Sequence, residues 1–202
     1  MKKYPAIALI EYSSIAAGIL SGDAMVKRAP ITVLKSGTVH NGKYISLIGG
    51  SVASVEESFS EGLSRGGEQV IDSVILPDVH PQVHDAILKS RKPCSGESLG
   101  VIETSTVAAT IRSADAGIKG ANVDIVEIRL ADDIGGKAFA LFTGKLEDVE
   151  AAVQISKSMV TKPEFWVSDT VIARLHPDMM DQIEQSTRFM DVELQTLEGS
   201  EV

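Results

Sequence analysis

Two tandem α+β domains, each running β-α-β-β-α-β as in ferredoxin-like folds, are what this sequence of 202 residues predicts. Two observations predict it. The first is a repeat: residues 10–29 (IEYSSIAAGILSGDAMVKRA) and 102–121 (IETSTVAATIRSADAGIKGA) agree at eleven of twenty positions, among them Ile10/Ile102, Glu11/Glu103, Asp23/Asp115 and Lys27/Lys119. The agreement continues through Gly42-Lys43 and Gly136-Lys137, Gly50 and Gly144, Val55-Glu56 and Val149-Glu150, and His80-Pro81 and His176-Pro177. A period of about 90 residues exceeds the ~20–50 of a solenoid unit, so it marks a duplicated domain. The second observation is the order of apolar runs and helical spacings within each copy.

Each copy opens on an apolar run that reads as a buried strand, Ala6–Glu11 and Leu99–Glu103. A helix follows, capped by Ser13 or Ser14 in the first copy and by Ser105 or Thr106 in the second. Ile15, Ile19 and Val26, and Val107, Ile111 and Ile118, fall near helical spacing and mark its apolar side. A second strand is expected at Ile31–Leu34 and Val123–Ile128, then a glycine-bearing loop, residues 37–43 and 132–137. The third strand spans Tyr44–Ile48 and Ala138–Phe142. The second helix covers roughly Ser51–Gly66 and Leu146–Val160, with Val52, Val55, Val149 and Val153 on its apolar face. A fourth strand, Val70–Leu76 and Trp166–Ala173, closes each unit, with both helices on one face of an antiparallel sheet. The domains are set at residues 1–90 and 99–178, joined by a polar linker, 91–98, and followed by an acidic tail, 179–202, that begins as a short helix and then frays.

Composition narrows the function. The net charge of −9 argues against nucleic acid and anionic membrane surfaces as partners. A single cysteine, Cys94, excludes an internal disulfide and fits a reducing cytoplasm. No apolar run approaches the ~20 residues of a membrane span, and the start of the chain reaches Glu11 too soon for a signal peptide. Glu11, Glu103, Asp23 and Asp115 are not arranged as an acid/base pair beside a nucleophile, and no loop has phosphate-binding spacing, so an enzyme is not expected. The two His-Pro pairs read as strand exits or helix starts.

Several motifs occur twice in the same order: Ile102-Glu103-Thr104; Asp115-Ala116-Gly117-Ile118-Lys119-Gly120-Ala121-Asn122-Val123; Ile134-Gly135-Gly136-Lys137; and Val171 through Arg174-Leu175-His176-Pro177. The first copy answers with Asp23-Ala24-Met25-Val26-Lys27 and Val39-His40-Asn41-Gly42-Lys43. Over about residues 5–88 and 98–178 the chain resembles bacterial microcompartment shell proteins of the non-permuted tandem, trimeric class found in propanediol-utilising compartments. The resemblance implies a structural role: a homotrimer with pseudo-sixfold symmetry, one hexagonal tile in a shell lying in the cytoplasm, meeting other shell proteins at its edges. It implies a central pore for small metabolites, lined by Val39, His40, Asn41, Gly42, Ile134, Gly135 and Gly136. It implies tile-edge contacts through Lys27, Lys119 and Arg174, although the first copy has Asp78 where the second has Arg174, so edge contacts differ between the copies. Without the family, the two lysines read as ordinary helix C-terminal cations.

In the propanediol-utilising member of the class that the chain most resembles, a first-copy loop cysteine supplies one ligand per subunit to an iron–sulfur cluster on the threefold axis. Aligned on Gly42-Lys43, that position here is His40, and a thiolate-bound cluster is not expected. Three His40 rings could instead hold a divalent metal, or line an open pore with no cofactor. Two rival readings remain: an electron-transfer protein with a redox centre at the pore, and a ferredoxin-like trimeric sensor of a small molecule.

Overall fold

The computed structural model describes residues 5–94 and 96–194. Thus the first four residues of the first domain, Ser95 of the linker and the end of the tail lie outside the described residues. The first copy comprises β1 (Ala6–Tyr12), α1 (Ile15–Arg28), β2 (Thr32–Val39), β3 (Lys43–Gly50), α2 (Val52–Gly66), β4 (Val70–Leu76) and an added α3 (Pro81–Ile87). The second comprises β5 (Ser98–Thr104), α4 (Val107–Gly120), β6 (Asp124–Leu130), β7 (Ala138–Gly144), α5 (Leu146–Ser158), β8 (Trp166–Ile172) and α6 (Pro177–Gln185). The antiparallel sheets have the same order, β2-β3-β1-β4 and β6-β7-β5-β8.

Local chemistry explains the boundaries. Ser14, Ser51 and Thr106 cap α1, α2 and α4, each accepting from a backbone N–H three residues on. The His-Pro pairs do start helices: His80 and His176 are N-caps whose Nδ1 atoms accept from Gln82 and Asp178 N–H, with proline in the first turn. Gly18 lets α1 lie close on Tyr44 of β3, and Gly62 lets α2 lie close on Met25 of α1 and Ile10 of β1, since a Cβ at either would come within 3 Å of those side chains.

Three expectations are revised. First, β2 runs on to Val39, shrinking the first loop to a turn at His40–Gly42. The added residues, Lys35 to Thr38, carry little apolar character and sit on an edge strand, so periodicity did not reveal them. Second, Ile15, Ile19 and Val26 do not face their own core; α1 buries Gly18, Ser21 and Met25 instead. Third, the described part of the tail continues past α6 in contact with the second copy. Met180 and Ile183 pack on Leu99, Val126 and Leu141, and a strap reaching residue 191 follows. Arg91 donates to the carbonyls of Ile183 (2.6 Å) and Gln185 (3.0 Å), and Thr187 Oγ1 donates to Glu127 at 2.8 Å.

One core cluster spans both copies, beside a smaller one in each. Ile7, Leu9 and Val74 of the first sheet cluster with Val107, Ile111 and Ile118 of α4, while Val79, Val83 and Ile87 at α3 join Ile125 and Ile128 of β6. Burial of this apolar surface on both sides fixes the copies side by side.

Candidate functional site: the junction between copies and the paired loops

The N-terminus of α4 points its free N–H groups into the first copy. Glu11, fully buried on β1, accepts from Ala108 N at 2.7 Å, and its other oxygen lies 3.6 Å from Lys43 Nζ. Burial raises the Glu11 carboxyl from 4.5 to about 7; the Ala108 N–H and Lys43 act against that rise, and Asp72 adds to it. Asp72 in turn accepts from the Thr106 hydroxyl at 2.7 Å and stands 3.7 Å from Arg112, which donates to the Ser73 carbonyl. Lower along the helix, Asp115 accepts from His80 N at 2.8 Å, and Lys119 bridges Asp115 to the carbonyl of Asp78. Gln82 seals the edge of β6: its carbonyl accepts from Ile125 N at 2.9 Å and its amide donates to Asp124 at 2.7 Å.

At the far end of this junction the two loops meet. His40 Nδ1 accepts from Asp133 N at 3.0 Å, and Lys43 donates to the carbonyls of Ser105 (3.0 Å) and Gly136 (3.3 Å). Gly136 has φ +75°, and a Cβ there would lie 2.8 Å from the His40 carbonyl oxygen. Asn41 and Gly42 also take left-handed φ, which forms the tight return into β3. So Val39, His40, Asn41 and Gly42 stand beside the loop that carries Ile134, Gly135 and Gly136.

The remaining site residues lie apart from these loops. Lys119 is half-exposed at the far end of α4, Lys27 is exposed and pairs with Asp23 at 2.6 Å, and Arg174 is exposed just after β8. Sequence reasoning missed Glu11 and Lys43 as a buried pair, although the repeat preserves both as Glu103 and Lys137. It also missed Arg91 of the linker and Arg188 of the strap, which no repeat marks.

An iron–sulfur cluster does not fit these loops. Cys94 is 1% exposed on the outer face of the second sheet, its Sγ 3.7 Å from Thr143 Oγ1, and no thiolate is available at His40–Gly42. A histidine metal is disfavoured by the same geometry. Because Nδ1 accepts from Asp133 N, a neutral His40 carries its proton on Nε2; binding a metal there requires moving that proton to Nδ1 and giving up the bond. Among the described residues no three His, Cys, Asp or Glu side chains of one chain gather as a metal site.

The BMC domain family matches the chain twice, at residues 6–79 and 98–175. The chain belongs to the bacterial microcompartment (BMC) domain family. This tandem BMC protein is 35% identical to the bacterial microcompartment shell protein PduT of Citrobacter freundii over 88% of its own length and 97% of the relative's. It is 21% identical to the carboxysome assembly protein CcmO of a Synechocystis species, over 92% of this chain and 67% of that one. Among solved structures, a microcompartment protein from Desulfitobacterium hafniense DCB superposes with a TM-score of 0.75 at 39% identity, covering 87% of this chain and 98% of that one. The tandem BMC protein is therefore a structural shell protein of a bacterial microcompartment. No helix among its described residues is long and apolar enough to cross a membrane.

Proposed function

We propose that the chain forms a homotrimer, pseudo-hexameric in outline, that serves as one tile of a microcompartment shell in the cytoplasm, without enzymatic activity. One observation carries this reading: the face of α4 that the first copy buries is exposed on α1. Val107 and Ile111 are 0% exposed, whereas their counterparts Ile15 and Ile19 are 43% and 56% exposed. The same holds for Val83, 0% exposed, against Met179, 53% exposed, and for buried Ile125 against exposed Val33. A chain that buries one half of a heterologous contact and leaves the other half bare is completed by copies of itself around a closed ring. Three chains supply six domains and close that ring.

In the trimer, Glu103 takes the role of Glu11, accepting from the N-terminus of a neighbour's α1. The turns 40–42 and loops 131–137 then alternate around the axis. Glycines at 42, 135 and 136 keep that opening narrow, and it passes small metabolites with His40 at its rim and no resident metal. Lys27, Lys119 and Arg174 lie at the tile edge, where weak contacts repeated along six edges join tiles and recruit other shell proteins.

Light scattering on the protein, purified without a metal-affinity tag, gives a mass of three chains, and elemental analysis of the same peak gives under about 0.1 metal per trimer. A monomer overturns the tile; a trimer holding about one iron or zinc, lost in His40→Ala, overturns the open pore. Lys27→Ala with Arg174→Ala leaves the trimer intact and abolishes extended sheets in electron micrographs.

A further inference from the structure

A cavity of about 560 Å³ lies between the first sheet, the edge of β6 and the C-terminal strap, and the tile reading makes no use of it. Its size is that of a small-molecule site. Leu9, Leu34, Ile45 and Leu47 give it an apolar wall from the first sheet, and Ile87 and Ile128 extend that wall across the junction.

Most charges on the remaining wall are matched, Lys89 and Arg129 being those without a carboxylate in ion-pair range among the described residues. Arg91 pairs with Glu127 at 3.1 Å, Lys35 with Asp132 at 3.6 Å, and Arg188 with Asp133 and Asp191. Arg129 differs in its partners. Its Nη1 reaches only the carbonyl of Thr187, at 3.4 Å, and its Nε, like that of Arg91, is buried with no hydrogen-bond partner, but unlike Arg91 it has no carboxylate in ion-pair range among the described residues. A partly buried guanidinium with no carboxylate in direct contact has hydrogen-bonding capacity left for an anion, the charge of Asp133 reaching it only at longer range. The guanidinium fork suits a carboxylate in particular, and the apolar wall suits a hydrocarbon body.

We propose that this cavity binds a short aliphatic carboxylate, its headgroup on Arg129 and its chain along the wall of Leu9, Leu34, Ile45 and Leu47. The site is complete within one chain, so it stands whether or not the chain trimerises. The strap borders it through Ser186 and Arg188, and the paired loops border it through Val39 and Asp132.

Calorimetric titration of the full-length protein with octanoate, octanol and acetate tests the proposal. Octanoate binds saturably at one site per chain, at least tenfold tighter than octanol, and acetate shows no saturable binding. Arg129→Met weakens octanoate more than tenfold and leaves octanol unchanged, and Leu34→Trp, which fills the cavity, weakens both. Absence of saturable octanoate binding, octanol binding as tightly as octanoate, or unaltered octanoate affinity in either variant overturns it. Circular dichroism matching the unsubstituted protein establishes that each variant is folded.

Discussion

The two copies carry the same residues into different surroundings. Glu11 and Glu103 are paired by the repeat, yet Glu11 is fully buried under the N-terminus of α4, while the Glu103 side chain is 31% exposed and held by Lys137 at 2.7 Å. Likewise α4 is buried along most of its length and α1 is bare on the matching side. What differs is not the domain but its neighbour. The covalent link supplies a neighbour to the second copy's first helix and none to the first copy's, so the single chain displays one junction made and one junction waiting.

The sharpest way to break that comparison is to place the same charge on both sides of it. Ile111→Asp puts an unpaired carboxylate into the shared core and leaves a void, and destabilises the chain by about 4–5 kcal/mol or more, read as loss of the folded circular-dichroism signal. Ile19→Asp, at the exposed counterpart, changes the fold of the single chain by no more than ~0.5 kcal/mol but converts the trimer to a folded monomer in light scattering. Equal effects of the two substitutions would mean that the junctions are not equivalent.

This comparison also shows what was legible in the sequence. The repeat, the caps and the turn glycines locate all eight strands and four of the helices because those signals are local. Ile15, Ile19 and Val26 read as an apolar side of α1, and they are one, but spacing reports that a face is apolar and not which surface covers it. The loops were legible as glycine-bearing turns; the bond from Asp133 N to His40 was not, because it joins residues from different copies. Glu11 reads as a polar end to an apolar run, and only the helix that arrives from the second copy makes it a buried carboxylate. The strap over residues 186–191 has no apolar period and no repeat partner, and it is held by single bonds to Arg129, Glu127 and Asp133 that no local pattern encodes.

Glu11 offers a pH probe of the junction already made. Its folded pKa, about 7, lies above the ordinary 4.5, so the folded chain binds this proton more tightly than the unfolded chain does. The contribution to stability is therefore complete below pH 4.5 and is lost as pH rises through about 7. The loss amounts to about 3 kcal/mol at 1.36 kcal/mol per unit. His80, whose pKa burial lowers, acts in the opposite sense in acid, so the clean readout is the difference from Glu11→Gln. Urea unfolding from pH 4.5 to 8 shows stability falling more steeply in the unsubstituted protein than in Glu11→Gln. Parallel curves would mean that Glu11 keeps its ordinary pKa and that Lys43 and the α4 N-terminus compensate its burial in full.

The smallest effect separates the two paired loops. Gly42 and Gly136 hold left-handed backbone, φ +69° and +75°, so an alanine at either strains the chain by about 1 kcal/mol. Their surroundings differ: nothing lies within 4 Å of a Cβ at Gly42, whereas one at Gly136 meets the His40 carbonyl oxygen at 2.8 Å. Gly136→Ala must push the turn at His40–Gly42 away from its partner loop, breaking the bond from Asp133 N to His40 and raising the cost to about 2 kcal/mol. Chemical denaturation of the two alanine variants reads that difference. The loss of the Asp133 bond frees His40 Nδ1 to take the proton, leaving Nε2 bare, so Gly136→Ala should bind zinc more readily than the unsubstituted protein while Gly42→Ala does not. Zinc binding that is equal in the two variants would show that the bond between the loops does not govern the state of the His40 ring.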